Sequence, residues 1–430
     1  MNSLVTPAVA VDRAFPTLHP RPRQGWLNDP NGICYRDGRW HVFFQHNPDS
    51  ARHAAIAWGH VSSPDLLRWE EEPVALRPQS GGPDALGCWS GVMADDDGIP
   101  TAVYSGVQDA SGHAQVTLAR GSADLRSWRQ DGEVAAGIPG DPSVTDVRDP
   151  FLFTWHGTRY AIQGAGLEDG RGALLLYDAT DLSAWTYLGI WLTTEHPAAA
   201  SGAQANIWEC PQLVEVDGRW ILIVSLWKRR DGAHHLSGVA HLIGSMHDDD
   251  GGRPVFEPET CAATDGGPDF YAPQAVQGGD RVMLWGWSWE SRAEEEADAV
   301  GWAGVLTFPR ELRVIDGELV VKPARELVGY RRRARVAGAV TELPAVAEAV
   351  VSPRGGVRVS LTLVSPSGSR EVYSAETEHG VRVLLDASIV EVYREGSTPV
   401  TFRAYPSRDE KWELTVTGNA VVEAWELGLP

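Results

Sequence analysis

The chain has 430 residues, with 58 Asp and Glu against 37 Lys and Arg, a formal net charge of −21. That balance argues against a nucleic-acid partner, whose phosphates demand a basic surface, and against an anionic membrane. The length exceeds what one core usually supports, so two domains are expected, and no apolar run approaches a membrane span.

Residues 1–14 have a weak apolar patch, no basic start and an acid at Asp12, which makes a poor secretory signal. Cys34, Cys88, Cys210 and Cys261 are scattered, with neither metal spacing nor a disulfide framework. The expected location is the cytoplasm with reduced thiols, and no metal or cofactor is expected. A pattern then recurs along the chain. Tyr35-Arg36-Asp37-Gly38-Arg39-Trp40, Ala94-Asp95-Asp96-Asp97-Gly98, Thr154-Trp155-His156-Gly157-Thr158-Arg159, Val214-Glu215-Val216-Asp217-Gly218-Arg219 and Gln277-Gly278-Gly279-Asp280-Arg281 each join two apolar runs. A short strand, a turn rich in Asp and Gly, and a second strand form a hairpin signature. Asp65-Leu66-Leu67-Arg68-Trp69, Asp124-Leu125-Arg126-Ser127-Trp128 and Asp181-Leu182-Ser183-Ala184-Trp185 close three of the units with an aromatic plug. Repeated four-strand units read as β-propeller blades.

Past residue 322 the pattern breaks, and Arg331-Arg332-Arg333 reads as a solvated linker face. Residues 357–364, 381–385, 389–393, 400–404 and 412–416 are short alternating strands, as in a β-sandwich. Long amphipathic helical patterns are nearly absent. The predicted fold is all-β: a five-bladed propeller over 17–322, a linker over 323–336 and a sandwich over 337–430.

Four acids fall at one phase of a sixty-residue ruler, Asp29, Asp149, Glu209 and Asp269, and the remaining mark, position 89, falls in Cys88-Trp89-Ser90-Gly91. A repeat fold would gather these positions around one centre. Clustered carboxylates raise one another's pKa, which is costly unless used, so acid/base or nucleophilic chemistry on a small neutral substrate is expected. Two carboxyl groups facing one bond can cleave an acetal, one attacking the anomeric carbon and one protonating the departing oxygen. Asp29 suits the nucleophile, since Asn28 and the turn Pro30-Asn31-Gly32 can donate hydrogen bonds to it. Glu209 suits the acid, because Trp208, Cys210 and Pro211 give it the apolar company that favours a protonated carboxyl. Asp149 has Arg148 as a neighbour to keep it charged and able to hold sugar hydroxyls. The alternative for Asn-Asp-Pro-Asn-Gly alone is an ordinary turn; the shared phase weighs against it.

Trp26-Leu27-Asn28-Asp29-Pro30-Asn31-Gly32, Arg148-Asp149-Pro150 and Glu209-Cys210-Pro211 resemble the three signature motifs of glycoside hydrolase family 32. The similarity extends through Phe43-Phe44-Gln45-His46-Asn47-Pro48, Trp58-Gly59-His60, Trp89-Ser90-Gly91, Asp269-Phe270-Tyr271-Ala272 and Leu385-Asp386-Ala387-Ser388. The resemblance implies retaining hydrolysis of β-D-fructofuranosides, with Asp29 as nucleophile, Glu209 as acid/base and Asp149 as transition-state stabiliser. It also implies a fructose pocket lined by Asn28, Gln45, Trp58, Trp89, Ser90, Arg148 and Asp269, with Trp287 as an aromatic wall. The expected partner is a small carbohydrate. Buried aromatics are ordinary in propellers, so Trp58, Trp89 and Trp287 also read as core.

Two departures bear on specificity. His53-Ala54 stands where the family often has Trp-Gly, and Ser225-Leu226-Trp227-Lys228-Arg229-Arg230 replaces a small-residue turn. The basic triplet reads as a solvated loop in preference to a phosphate grip. Exo-action on sucrose and short fructo-oligosaccharides is the favoured reading. A fructosyltransferase, a levan- or inulin-type hydrolase, an arabinanase-type enzyme and a non-catalytic sugar-binding propeller are the alternatives.

Overall fold

The computed structural model describes residues 12–111 and 113–430. The stretch read as a poor secretory signal therefore lies almost wholly outside the described residues. Among the described residues no helix is long and apolar enough to cross a membrane.

Local turn chemistry builds the first three-quarters of the chain. Asp37-Gly38, Asp97-Gly98, His156-Gly157 and Asp217-Gly218 all have positive φ at both positions. Such turns match the twist of the strands they join and close two-residue hairpins. Each hairpin opens an antiparallel meander. The first runs through Gly25–Arg36, Arg39–Asn47, Ala57–Ser63 and Glu70–Glu71, and the second through Gly87–Asp96, Ile99–Val107, Gln115–Gly121 and Trp128–Ala136. The third comprises Val144–Trp155, Thr158–Leu167, Gly172–Asp178 and Thr186–Thr193; the fourth comprises Ile207–Val216, Arg219–Arg230, Ala233–Asp248 and Pro254–Ala263. These two are joined by the single pairing Gly166↔Ile207. The fifth is Tyr271–Gly278, Arg281–Ser288, Arg310–Ile315 and Glu318–Pro323.

The first strands of successive meanders touch one another in order, and the fifth touches the first. The excursion 289–309 seals that closure. It carries the helix Glu294–Val300 and a short strand, Trp302–Ala303, that pairs in parallel with Gly25 and Trp26. Gly304 is required there: its φ is +73°, and an added Cβ would lie 1.9 Å from the Leu27 carbonyl oxygen.

The aromatic plugs work through their own turns. Leu66, Leu125 and Leu182 are buried. The Trp128 and Trp185 indoles donate to the carbonyls of Leu125 and Leu182, while the Asp carboxylates cap the turns.

Downstream, a six-stranded sheet runs in the order Arg331–Arg335, Ala420–Leu427, Val346–Pro353, Val381–Asp386, Ile389–Arg394, Val400–Arg403. A four-stranded sheet has the order Val340–Leu343, Lys411–Thr417, Val357–Ser365, Gly368–Thr377. Ala349, Val383, Leu385 and Val392 of the first share one core with Val359, Leu361 and Leu414 of the second. The basic run is a strand, with Arg332 and Arg333 facing solvent as expected and Arg331 packed inward. Residues Arg325–Tyr330 form a 3-10 turn whose Tyr330 is fully buried and donates to the Leu67 carbonyl at 2.6 Å. Arg331–Arg335 is an edge strand, with the Arg331 guanidinium 3.7 Å over Trp425 and bonded to Glu348.

Buried ion pairs lock the two parts together. Arg310 bridges Asp265 and Glu391, while His19 places one ring nitrogen on Asp386 and the other on Glu391. With both ring nitrogens on carboxylates, His19 is held charged and its pKa is raised despite its burial.

Candidate active site

All five innermost strands bulge at one height. Two residues on each oppose a single residue of the neighbouring strand: Asn28 and Asp29 against Gln45, Trp89 and Ser90 against Ser105, Asp149 and Pro150 against Gln163. Cys210 and Pro211 oppose Val224, and Ala272 and Pro273 oppose Gly286. A bulge frees a backbone N–H from the ladder and re-aims side chains. Asp149, Cys210 and Ala272 sit at φ +59°, +46° and +43°, strained for non-glycine residues. Each freed N–H is taken by the preceding meander: Asp149 by Ser105 Oγ at 2.7 Å, Cys210 by Asp149 Oδ2 at 3.0 Å, Ala272 by Ser225 Oγ at 3.1 Å.

The register corrects the even ruler. The last paired residues before the bulges are Leu27, Cys88, Arg148, Glu209 and Tyr271, at intervals of 60 to 62. Glu209 is thus the last paired residue of its strand, Asp149 the first bulge residue and Asp29 the second. The acids converge because the bulges do, from three different positions. Asp269 is not on an inner strand; it lies in the turn before Tyr271.

Asp29 is wrapped by donors. Its Oδ2 accepts from Ser90 Oγ at 2.6 Å and Gln45 Nε2 at 3.0 Å, and its Oδ1 from Asn28 Nδ2 at 3.0 Å. Asn28 is oriented by the Trp26 indole, which donates to its Oδ1 at 2.7 Å. The Cys210 sulfur lies 3.5 Å from both Asp29 Oδ2 and Asp149 Oδ2. Glu209 is not in apolar company: Arg148 Nε donates to Oε1 at 3.0 Å and the Tyr271 hydroxyl to Oε2 at 2.7 Å. Strand alternation turns Trp208 the other way, fully buried and bonded to the Ala203 carbonyl.

Burial pushes Asp29 up to about 6; the Ser90 hydrogen bond opposes it and the Glu209 charge adds to it. Burial and then Glu209 also raise Asp149, against the pull of Arg148. Local donors therefore restrain, without cancelling, the cost of gathering three acids. A prediction follows for pH dependence. If ionised Asp29 is the active form, kcat/KM should fall on the acid side near pH 6. Ser90→Ala removes a donor that favours the charged carboxylate, so this limb should move to higher pH. An unmoved limb in a pH–rate series would sink the assignment.

An aromatic arc borders the acids. Ring centroids are 5.9 Å apart for Trp89–His53, 5.8 Å for His53–Trp26, 5.9 Å for Trp26–Trp287, 6.2 Å for Trp287–Trp289 and 6.1 Å for Trp289–Tyr271. Trp26, Trp89 and Trp289 are half-buried, whereas Trp287 is only 6% exposed. His53 thus occupies a place in the arc, on a loop that Arg52 ties to Asp298. Beside it a cavity of about 350 Å³ is lined by His53, Ile56, Leu86, Trp89, Val107 and Asp109.

Two expected pocket residues stand elsewhere. Trp58 has no exposed surface and donates its indole N–H to the Trp89 carbonyl at 3.0 Å, so it supports the wall from behind. The Asp269 carboxylate is taken up by Trp289, Ser291 and the Arg403 backbone N–H. Trp26, Cys210, Tyr271 and Trp289 are site residues that the sequence reading passed over. Tyr271 was findable, since it holds the same register position as Glu209. Among the described residues no group of three His, Cys, Asp or Glu could hold a metal ion.

Residues 19–323 match the family described as glycosyl hydrolases family 32 N-terminal domain. The chain is 31% identical to the raffinose invertase of Escherichia coli, over 92% of this chain and 90% of that protein. It is also 31% identical to a sucrose-6-phosphate hydrolase of Zymomonas mobilis, over 76% of this chain and 65% of that protein's length. Among solved structures it resembles a mutant of a Bombyx mori GH32 beta-fructofuranosidase in complex with sucrose, at 26% identity and a TM-score of 0.80, over 96% of this chain and 94% of that one.

Proposed function

The chain belongs to glycoside hydrolase family 32, and we propose that it is a retaining, exo-acting β-fructofuranosidase built on a five-bladed propeller. The catalytic propeller would span 17–323 and the sandwich 331–430, joined by the 3-10 turn Arg325–Tyr330. The cyclic contact of five bulged strands supports the blade count.

One observation carries the mechanism: three carboxyls meet at the bulges, with two donors on Glu209 and three on Asp29. Asp29 attacks the anomeric carbon of a terminal fructose. Glu209 protonates the departing glycosidic oxygen, then as a carboxylate takes a proton from the water that releases fructose. Asp149 accepts hydrogen bonds from sugar hydroxyls as positive charge grows on the ring. Gln45 Oε1, buried and without a partner among the described residues, supplies another acceptor for a hydroxyl. A retaining pair needs its carboxyls roughly 5–5.5 Å apart, the separation expected of Asp29 and Glu209.

The leaving group lies against Trp89 and His53, where the 350 Å³ cavity gives it room. A loose apolar fit there separates sugars by only about 1–3 kcal/mol, so sucrose and short fructo-oligosaccharides should be used with comparable efficiency. Cytoplasmic action is the matching setting, since Cys34, Cys88, Cys210 and Cys261 are all free thiols. The test is release of fructose from sucrose, raffinose, inulin, levan and sucrose-6-phosphate side by side, with rapid NMR of the first fructose anomer. Equal glucose and fructose from sucrose, with β-fructose first, is the expected result. Inverted fructose, internal oligomers from inulin or levan, or a requirement for the phosphate would each overturn the reading, as would transfer products at high sucrose.

A further inference from the structure

We infer that the sandwich belongs to the catalytic apparatus, because Asp269 ties its strand Val400–Arg403 to Tyr271 and thereby positions the carboxyl of Glu209. The inference rests on Glu209 being the acid/base proposed above.

Asp269 spends its carboxylate on fixing the chain. Oδ2 accepts from the Arg403 backbone N–H at 2.6 Å, and Oδ1 from the Trp289 indole at 2.7 Å and the Ser291 hydroxyl at 2.9 Å. The residues before it lie along the same sandwich strand. Gly266 N–H donates to the Pro399 carbonyl at 2.8 Å, and Thr401 donates through N–H and Oγ1 to Asp265 at 3.0 and 2.6 Å. Gly267 approaches so closely that a Cβ would lie 1.9 Å from the Thr401 carbonyl oxygen. Arg403 is itself pinned, its Nη2 on Ser388 Oγ at 2.9 Å.

The other end of this short segment touches the chemistry. Tyr271, two residues on, donates to Glu209 Oε2. Phe270 between them is buried, with the Arg310 guanidinium 4.8 Å above its ring and Gly286 so near that a Cβ would be 2.1 Å from the ring edge. That packing leaves no slack to absorb a shift of Asp269. Trp289, held by Asp269, also packs on the Tyr271 ring. A general acid needs its proton within hydrogen-bond reach of the leaving oxygen, and displacements near 1 Å cost about 100-fold. Asp269 is therefore a positioning residue, and its filled carboxylate argues against a sugar-ligand role.

The test is Asp269→Asn in the full chain. Asparagine keeps the size and an acceptor for Trp289 and Ser291, but sets an NH2 group against the Arg403 N–H. The kcat on sucrose should fall roughly 10- to 100-fold with KM changed less than about threefold. On an aryl β-fructofuranoside whose leaving group needs no proton, the loss should shrink to about threefold or less. The groups facing Glu209 are Arg148, Tyr271, Asp29, Asp149 and Cys210. Only the Tyr271 contact changes in the variant, so the alkaline limb of the kcat profile should move upward, as in Tyr271→Phe. The double variant should be no worse than Tyr271→Phe alone. A KM rise with equal loss on both substrates would make Asp269 a sugar ligand and overturn the inference, as would wild-type kinetics with an unmoved limb. Should Asp269→Asn not fold, Ser291→Ala removes one of the same hydrogen bonds and must show a smaller shift in the same direction. Glu209→Ala is assayed in parallel. Equal losses on the two substrates there defeat the acid/base assignment itself; a selective loss there with none in Asp269→Asn defeats this inference alone.

Discussion

Asp29→Asn should leave less than about one part in 10⁴ of the wild-type kcat on sucrose while binding sugar with a Kd within about threefold. The amide is nearly isosteric but cannot form the fructosyl ester, so the whole double displacement stops at its first step. Its hydrogen bonds can largely persist. Ser90 Oγ can accept as well as donate, and the Gln45 amide has an unused oxygen that can turn toward an NH2 group. Turnover above about 1% in a rigorously purified preparation, or loss of sugar binding by calorimetry, would remove Asp29 from the nucleophile's place.

The same variant should be the more stable protein at pH 8. Burial raises Asp29 to about 6 from an ordinary 3.8, so the folded state holds this proton more tightly than the unfolded chain. The stabilisation from holding that proton is complete below about pH 4 and is lost as pH rises through 6. Above that range the native enzyme carries an unfavourable buried charge facing Glu209, worth on the order of 2–3 kcal/mol. Asparagine carries none. A Tm gain of a few degrees at pH 8 that vanishes near pH 4 is expected, the usual exchange between stability and a functional cluster. A variant less stable at both pH values would mean that the donors around Asp29, not its burial, dominate its energetics.

What was legible in the sequence follows how local the causes are. The Asp-Gly hairpins and the Asp-Leu-x-x-Trp turns carry their own geometry in a few residues, and they appear where they were read. Strands with an apolar face, such as Val357–Ser365 and Val381–Asp386, were visible by alternation. Arg331–Arg335 and Gly368–Thr377 were not. Both are mostly exposed edge strands, and Arg331–Arg335 pairs with Ala420–Leu427 almost a hundred residues away. The surroundings of Trp58 and Asp269 were hidden for a related reason. Motif membership says that a residue is near the site, but strand register decides which way it faces. Trp58 turns its indole beneath Trp89, and Asp269 stops one turn short of the bulged strand. Trp289 enters with the closing excursion, which follows none of the repeat's spacing. The sixty-residue phase pointed to three acids that the structure brings together, but for an incomplete reason. Bulges at intervals of 60 to 62 bring different register positions to one centre.

Those register positions also sort the roles, and Glu209→Ala tests the sorting. Asp29 and Asp149 come from the bulges themselves, whereas Glu209 is the last paired residue before one, held through both oxygens by Arg148 and Tyr271. A group fixed in that way can give up a proton and take it back without moving. Positioned proton transfer is typically worth about 10²–10⁴-fold, so Glu209→Ala should lose that much kcat on sucrose, whose alkoxide leaves only when protonated. On an aryl fructoside the phenolate leaves unaided, so the first step should survive nearly intact. The second step then becomes limiting, because no base remains to activate water, and fructosyl-enzyme should accumulate on Asp29. A burst of phenolate equal to the enzyme concentration, a mass gain of one fructosyl unit, and acceleration by added azide or formate are the expected signs. Azide needs no deprotonation, and it should also yield a fructosyl azide of retained configuration. Equal losses on sucrose and the aryl fructoside, with no burst and no rescue, would mean that Glu209 moves no proton and that the acid must be sought elsewhere in the funnel, with Asp149 the next carboxyl within reach.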